Sequence, residues 1–113
     1  NHVSYISIMS QHIYNVTVVV DTSIEEKWKQ WMVQKHIPEV MDTGMFRSFL
    51  FTQVFPEQEQ DNPSYSIQYR AADLESIKLY MQMYGPELRK KSENAWGTHA
   101  LAFRTILEVI DEK

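Results

Sequence analysis

Few side chains in this 113-residue sequence are equipped for chemistry. Two histidines, His36 and His99, fall well inside its patterned part. Imidazole titrates near neutrality, so in an apolar pocket either one could take a proton from a weakly acidic hydroxyl. A cofactor-free oxygenase acting on a phenol-like substrate would need that step. The plainer reading is structural, with His36 closing a helix and His99 bonded to a backbone carbonyl. Neither histidine has a second ligand two or four residues away, so no metal site is expected. Ser48, Ser64 and Ser66 have no base at a readable spacing. Three scattered glycines cannot make a phosphate loop, and the absence of cysteine removes disulfides, thiolate metal sites and a thiol nucleophile. Arg47, Arg70 and Arg104 are the cations from which an anion site could be built.

The first of these histidines opens an unusually specified connection, HIPEVMDTGMF, residues 36–46. Pro38 suits the first turn of a short helix and Gly44 the left-handed residue that ends one. The stretch reads as a helical wall over one end of a sheet, and so as one side of a pocket. Before it, HIYNVTVVV (12–20) is β-branched and aromatic, and is expected to be a strand with Tyr14, Val16, Val18 and Val20 on its apolar face. Ser23 and Glu26 read as a capping box. The helix they would start carries Ile24, Trp28, Trp31 and Met32 on one side and runs to about Lys35.

Residues 45–55, MFRSFLFTQVF, form a second strand that is apolar on both faces, which asks for cover on both. PEQEQDNP (56–63) is an acidic, solvated loop. Tyr65 to Ala71 is a third strand, and Asp73 can cap a second helix bearing Leu74, Ile77, Met81, Tyr84 and Leu88. Gly85-Pro86 interrupts that helix, and Arg89-Lys90-Lys91 lies near its end. A last strand spans Thr98 to Ile110, with His99, Leu101 and Phe103 on the side expected to face the helices. Arg104 and Glu108 are expected on the other side.

The order β-α-β-β-α-β gives an α+β, ferredoxin-like fold, an antiparallel sheet with two helices on one face. The other sheet face, with Asn15, Thr17, Gln68 and Arg70 among apolar residues, is too apolar for water, and pairing with a second copy would cover it. Residues 12–113 are expected to form one domain, with 1–11 as an N-terminal extension and Met9 as a natural start. An apolar share of 43% with 12% aromatic residues fits a globular chain. Net charge of −4 and a pI near 5.5 argue against nucleic acid or an anionic membrane as partner. No run reaches the roughly 20 apolar residues of a membrane span, and the opening NHVSYISIM is not expected to act as a secretion signal. A cytoplasmic location is expected.

HIPEVMDTGMF, YSIQY (65–69) and FRTILEVI (103–110) resemble an uncharacterised bacterial family, a domain of unknown function in the dimeric α+β barrel superfamily. The resemblance covers 13–110 and implies a homodimer whose two sheets form a barrel. Enzymes of that superfamily place their pocket between helices and sheet. It also contains haem-degrading members, which use a first-strand asparagine, a third-strand tryptophan and a second-helix histidine. Asn15 matches, but 73–93 holds no histidine and the third strand offers tyrosines, so no haem and no other cofactor is expected.

Three functions are therefore open. A small apolar or aromatic ligand could bind among Trp28, Met41, Tyr69, Tyr84, Trp96 and Phe103. The same pocket could serve a cofactor-independent monooxygenase or isomerase, with His36 or His99 as base. Or the chain is an interaction module whose business is its dimer face.

Overall fold

The computed structural model describes residues 11–113. Of the expected N-terminal extension only Gln11 falls within that range. Strand β1 is His12–Val20, β2 is Ser48–Val54, β3 is Ser64–Ala71 and β4 is Ala100–Glu108. They form one antiparallel sheet in the order β2-β3-β1-β4, the order of a split βαβ pair. The fold is ferredoxin-like.

Each of the two helical connections is broken into pieces. The first begins as a 3-10 turn, Thr22–Ile24, and becomes α1, Glu25–Trp31. It continues through a π-turn, Met32–His36, into α2, Ile37–Asp42. Pro38 explains the π-turn. It has no amide for the carbonyl of Gln34, and its ring would press on that carbonyl in a regular helix. The chain widens there instead, and the Ile37 amide reaches back five residues to the Met32 carbonyl. The expected capping box does not form. No side chain caps this helix, and Glu25 accepts a hydrogen bond from the Tyr65 hydroxyl. Gly44, at φ +77°, ends α2 as its position in the sequence suggests.

The second connection comprises α3, Leu74–Met83, and α4, Gly85–Trp96, parted at Tyr84 before Gly85-Pro86. Asp73 caps α3, accepting from the Ser76 amide at 2.9 Å. A 3-10 turn, Gly97–His99, leads into β4.

The core lies between helices and sheet. Trp28 is 1% exposed and packs edge-on to Phe51 and against Tyr65, with ring centroids 5.7 and 5.1 Å away. Ile37, Val40, Ile67 and Ile77 are fully buried in the same core. Removing a buried indole of this kind costs about 3–5 kcal/mol. At the other end Tyr14, Phe46, Tyr69 and Tyr80 make a second aromatic cluster.

Register settles which residues face the helices, and it overturns the expectation for β4. Val16 pairs with Arg104 and Val18 with Ala102, and directly paired residues share a face. Arg104 and Ala102 therefore lie on the helix-facing side of the sheet with Tyr14 and Val18, Arg104 half-buried and Ala102 exposed. Leu101, Phe103, Thr105 and Leu107 point the other way, opposite Val19, Thr17, Asn15 and Ile13. Phe49 is likewise on the helix side, paired with Tyr69, while Leu50 and Val54 lie on the uncovered face. Leu50, Leu101 and Phe103 are there 59%, 52% and 61% exposed. At the centre of that face the Asn15 amide donates to Thr17 and Thr105 at 3.1 Å each and accepts from Ser66 at 2.7 Å.

Candidate functional site

The π-turn places His36 at the edge of the covered space, where its ring stacks on Trp31 at 4.8 Å. Trp31 in turn meets Trp96 of α4 edge-on at 5.8 Å. The Trp96 indole N–H is buried and has no hydrogen-bond partner among the described residues. Beside His36 a cavity of about 40 Å³ opens between helices and sheet. Tyr14 and Val16 of β1, Ile67 and Tyr69 of β3 and Arg104 of β4 form its floor. Met32, His36, Val40, Tyr80, Gly85, Leu88 and Arg89 form its walls and roof. A larger groove of about 340 Å³ adjoins it between α4 and β4. Arg89 and Arg104 border both spaces.

The electrostatics of the cavity are one-sided. Its lining holds two guanidiniums, three tyrosine hydroxyls and one imidazole, and no carboxylate. Burial lowers the His36 pKa to about 4, and Arg104 and Lys91 push it the same way against Glu39. The imidazole is therefore uncharged at neutral pH. Burial also raises the Tyr69 and Tyr80 hydroxyls well above the usual tyrosine range, so both remain protonated donors. Lys91 is taken up by Glu39 at 3.0 Å, a contact that ties α4 to α2.

The residues expected to converge on a pocket do so only in part. His36 and Tyr69 line the cavity. His99 does not: the turn that begins at Gly97 carries it out of β4, and its Nδ1 lies 2.6 Å from Asp21 Oδ2 at the surface. Phe103 is on the far side of the sheet because of the β4 register. Trp28 belongs to the core cluster, Met41 packs against the core from its edge, and Tyr84 stacks on Tyr80 at 6.5 Å. Trp96 reaches the site only through Trp31. The expected grouping of Arg47, Arg70 and Arg104 is not made, since Arg70 pairs with Glu112 at 2.9 Å on the uncovered face. Pattern reading misses Tyr80 and Arg89 as site residues. It puts Tyr14 on the covered face without assigning it to the site, and puts Arg104, as a candidate anion-binding cation, on the opposite face. Among the described residues no three histidines or carboxylates gather closely enough to hold a metal ion. No helix of the described residues is long and apolar enough to cross a membrane.

Solved structures place this arrangement in a known class. An EthD family protein from Bacillus halodurans superposes with a TM-score of 0.65 at 15% identity, over 90% of this chain and 98% of that one. A dimeric ferredoxin-like protein from an uncultured marine organism gives 0.59 at 15% identity, over 92% and 99%. SnoaB, a cofactor-independent oxygenase from Streptomyces nogalater, gives 0.62 at 10% identity, over 89% and 95%. At such identities the likeness is one of fold, and the class is the ferredoxin-like α+β proteins. No curated protein sequence matches the chain. Residues 11–110 match the model of a domain of unknown function, DUF4286, and the chain belongs to that family.

Proposed function

We propose that the protein is a homodimer, paired through its uncovered sheet faces, whose subunits each bind a small molecule with an apolar or aromatic body between helices and sheet. The cavity beside His36 carries this reading. It joins apolar walls (Val16, Met32, Val40, Ile67, Leu88) to a few convergent polar groups, the usual make-up of a small-molecule site. About 40 Å³ holds roughly three waters, so a ring-sized ligand also needs the adjoining groove. Arg89 and Arg104 line both spaces. The dimer reading rests on the exposed Leu50, Leu101 and Phe103 and on the dimeric relative of the same fold.

An enzyme on the same pocket, a cofactor-independent oxygenase, is the second reading. It is favoured by the neutral His36, whose ring nitrogens are available to a ligand hydroxyl, and by the oxygenase among the structural neighbours. The magnitudes weigh against it. Moving a proton from a phenol of pKa about 10 to an imidazole of pKa about 4 is uphill by about 8 kcal/mol unless the anion is stabilised.

A thermal-shift screen against small aromatics, quinones, flavins and haem tests the primary reading, with His36→Ala and Tyr69→Phe alongside. A ligand at about 100 times its Kd adds about 2.7 kcal/mol, enough for several degrees in Tm. Silence across the panel would remove the ligand reading and leave an interaction module working through the sheet face. A hit that also consumes oxygen, and ceases to in His36→Ala, would move the assignment to the oxygenase.

A further inference from the structure

We propose that the ligand of this site carries an oxyanion, a carboxylate or the delocalised oxygen of an enolate or phenolate, held between Arg104 and Arg89. The inference rests on the reading of the helix–sheet space as a binding site, and it names the class of molecule that space takes.

Four cations elsewhere are paired, Lys29 with Glu26, Arg70 with Glu112, Lys78 with Glu75 and Lys91 with Glu39. Lys27, Lys35, Arg47, Lys90 and Lys113 have no carboxylate partner among the described residues. Arg89 and Arg104 have no carboxylate or hydrogen-bonding partner among the described residues, and both border one cavity. This concentration of positive charge stands out in a chain whose net charge is −4. Arg104 is half-buried on the covered face of the sheet, where a leucine or methionine would fold at least as well. Covering an unpaired guanidinium is unfavourable unless something pairs with it.

The two cations approach from opposite sides. Arg104 stands on a strand and Arg89 on the helix across from it, so their donor forks can close on one group from both walls. The other polar groups agree. Tyr14, Tyr69 and Tyr80 are each under 5% exposed, and none of their hydroxyls is hydrogen-bonded among the described residues. Hydroxyls that stay protonated offer hydrogens to an anion. Room for about three waters suits a carboxylate better than a ring. The ligand's head thus sits in the cavity, which has no carboxylate, and its body in the groove, whose lining includes Ala100, Ala102, Ser92 and the carboxylate of Glu93. The plain alternative is that both arginines lie along apolar surface with their heads in water. It accounts for the exposed Arg89. It leaves unexplained why the cavity has six donor-bearing side chains and no carboxylate.

Matched probe pairs decide the matter: benzoate with benzamide, 4-hydroxybenzoate with its amide, and hexanoate with hexanamide. Each is titrated by ligand-observed NMR and calorimetry into the whole chain and into Arg104→Gln, Arg89→Gln and Arg104→Lys. At least one carboxylate is expected to bind roughly ten- to a hundredfold more tightly than its amide, a preference lost in Arg104→Gln and reduced in Arg89→Gln. Arg104→Lys keeps the charge without the fork and retains part of it. Should Arg104→Gln fail to fold, the exposed Arg89 and the lysine variant still read the effect. Amides binding as tightly as acids, or acids indifferent to every substitution, would overturn the oxyanion assignment while leaving a small-molecule site in place. If neither the acids nor the amides bind, both readings fall together.

Discussion

Arg104 on β4 and His36 at the end of the π-turn face one cavity, and the guanidinium adds to burial in keeping the imidazole uncharged. Because burial is the larger cause, removing the charge should raise the His36 pKa without restoring its ordinary value near 6.5. An NMR titration of the His36 ring should give a midpoint of about 4 in the native chain and a higher one, still below 6.5, in Arg104→Gln. A native midpoint near 6.5 would mean that the ring is solvated and that the cavity is not as described.

The same shift makes stability depend on pH in a defined window. Unfolded His36 takes a proton near pH 6.5, whereas the folded protein resists until about 4. Between those values the unfolded state holds more protons, so stability falls as pH falls through the window. The loss amounts to up to about 3 kcal/mol at about 1.4 kcal/mol per unit. His36→Gln lacks this component. Urea midpoints at about pH 7 and about pH 4.5 should lie closer together in the variant than in the native chain.

Gly44 offers a clean test of backbone conformation. A Cβ added there would meet nothing within 4 Å, yet φ is +77°. Gly44→Ala should therefore destabilise the protein by about 1 kcal/mol through conformation alone. A neutral or stabilising result by chemical denaturation would mean that α2 does not end in this left-handed turn.

Much of this fold is legible in the sequence because its punctuation is strong. His12–Val20 is rich in β-branched and aromatic residues, and its bounds are those of β1. Asp73, Gly44 and Gly85-Pro86 mark helix ends through capping, left-handed backbone and a missing amide. The face of β4 is not legible, because apolar residues occupy both parities: Leu101, Phe103 and Leu107 on one, Ala102 and Ile106 on the other. A period of two cannot choose between such sets, and only the pairing with β1 does so. That ambiguity hid Arg104 and moved Phe103 to the wrong side. His99 was lost to the same strand, because a three-residue turn precedes β4. Arg89 was absorbed into a basic run at a helix end. A signal was there: Gly85, Leu88, Arg89 and Ser92 continue one helical stripe past Pro86, and all border the site spaces. Tyr80 needed the stripe to step by three from Ile77 where the spacing also allowed Met81.

The uncovered sheet face carries the last prediction. Leu50 and Phe103 are exposed there at 59% and 61%, far from the helices, so changing them should leave the subunit's own packing intact. Between two copies the same residues would sit in an apolar interface around the Asn15 cluster, where a carboxylate is strongly disfavoured. The native chain should therefore sediment at twice its 13.4 kDa mass. Leu50→Glu and Phe103→Glu should sediment at a single chain mass, with unchanged far-ultraviolet circular dichroism. A dimer that survives both substitutions would place the contact on another surface. A native chain that stays monomeric at micromolar concentration would remove the dimer from the proposal, and the apolar sheet face would then need a different occupant.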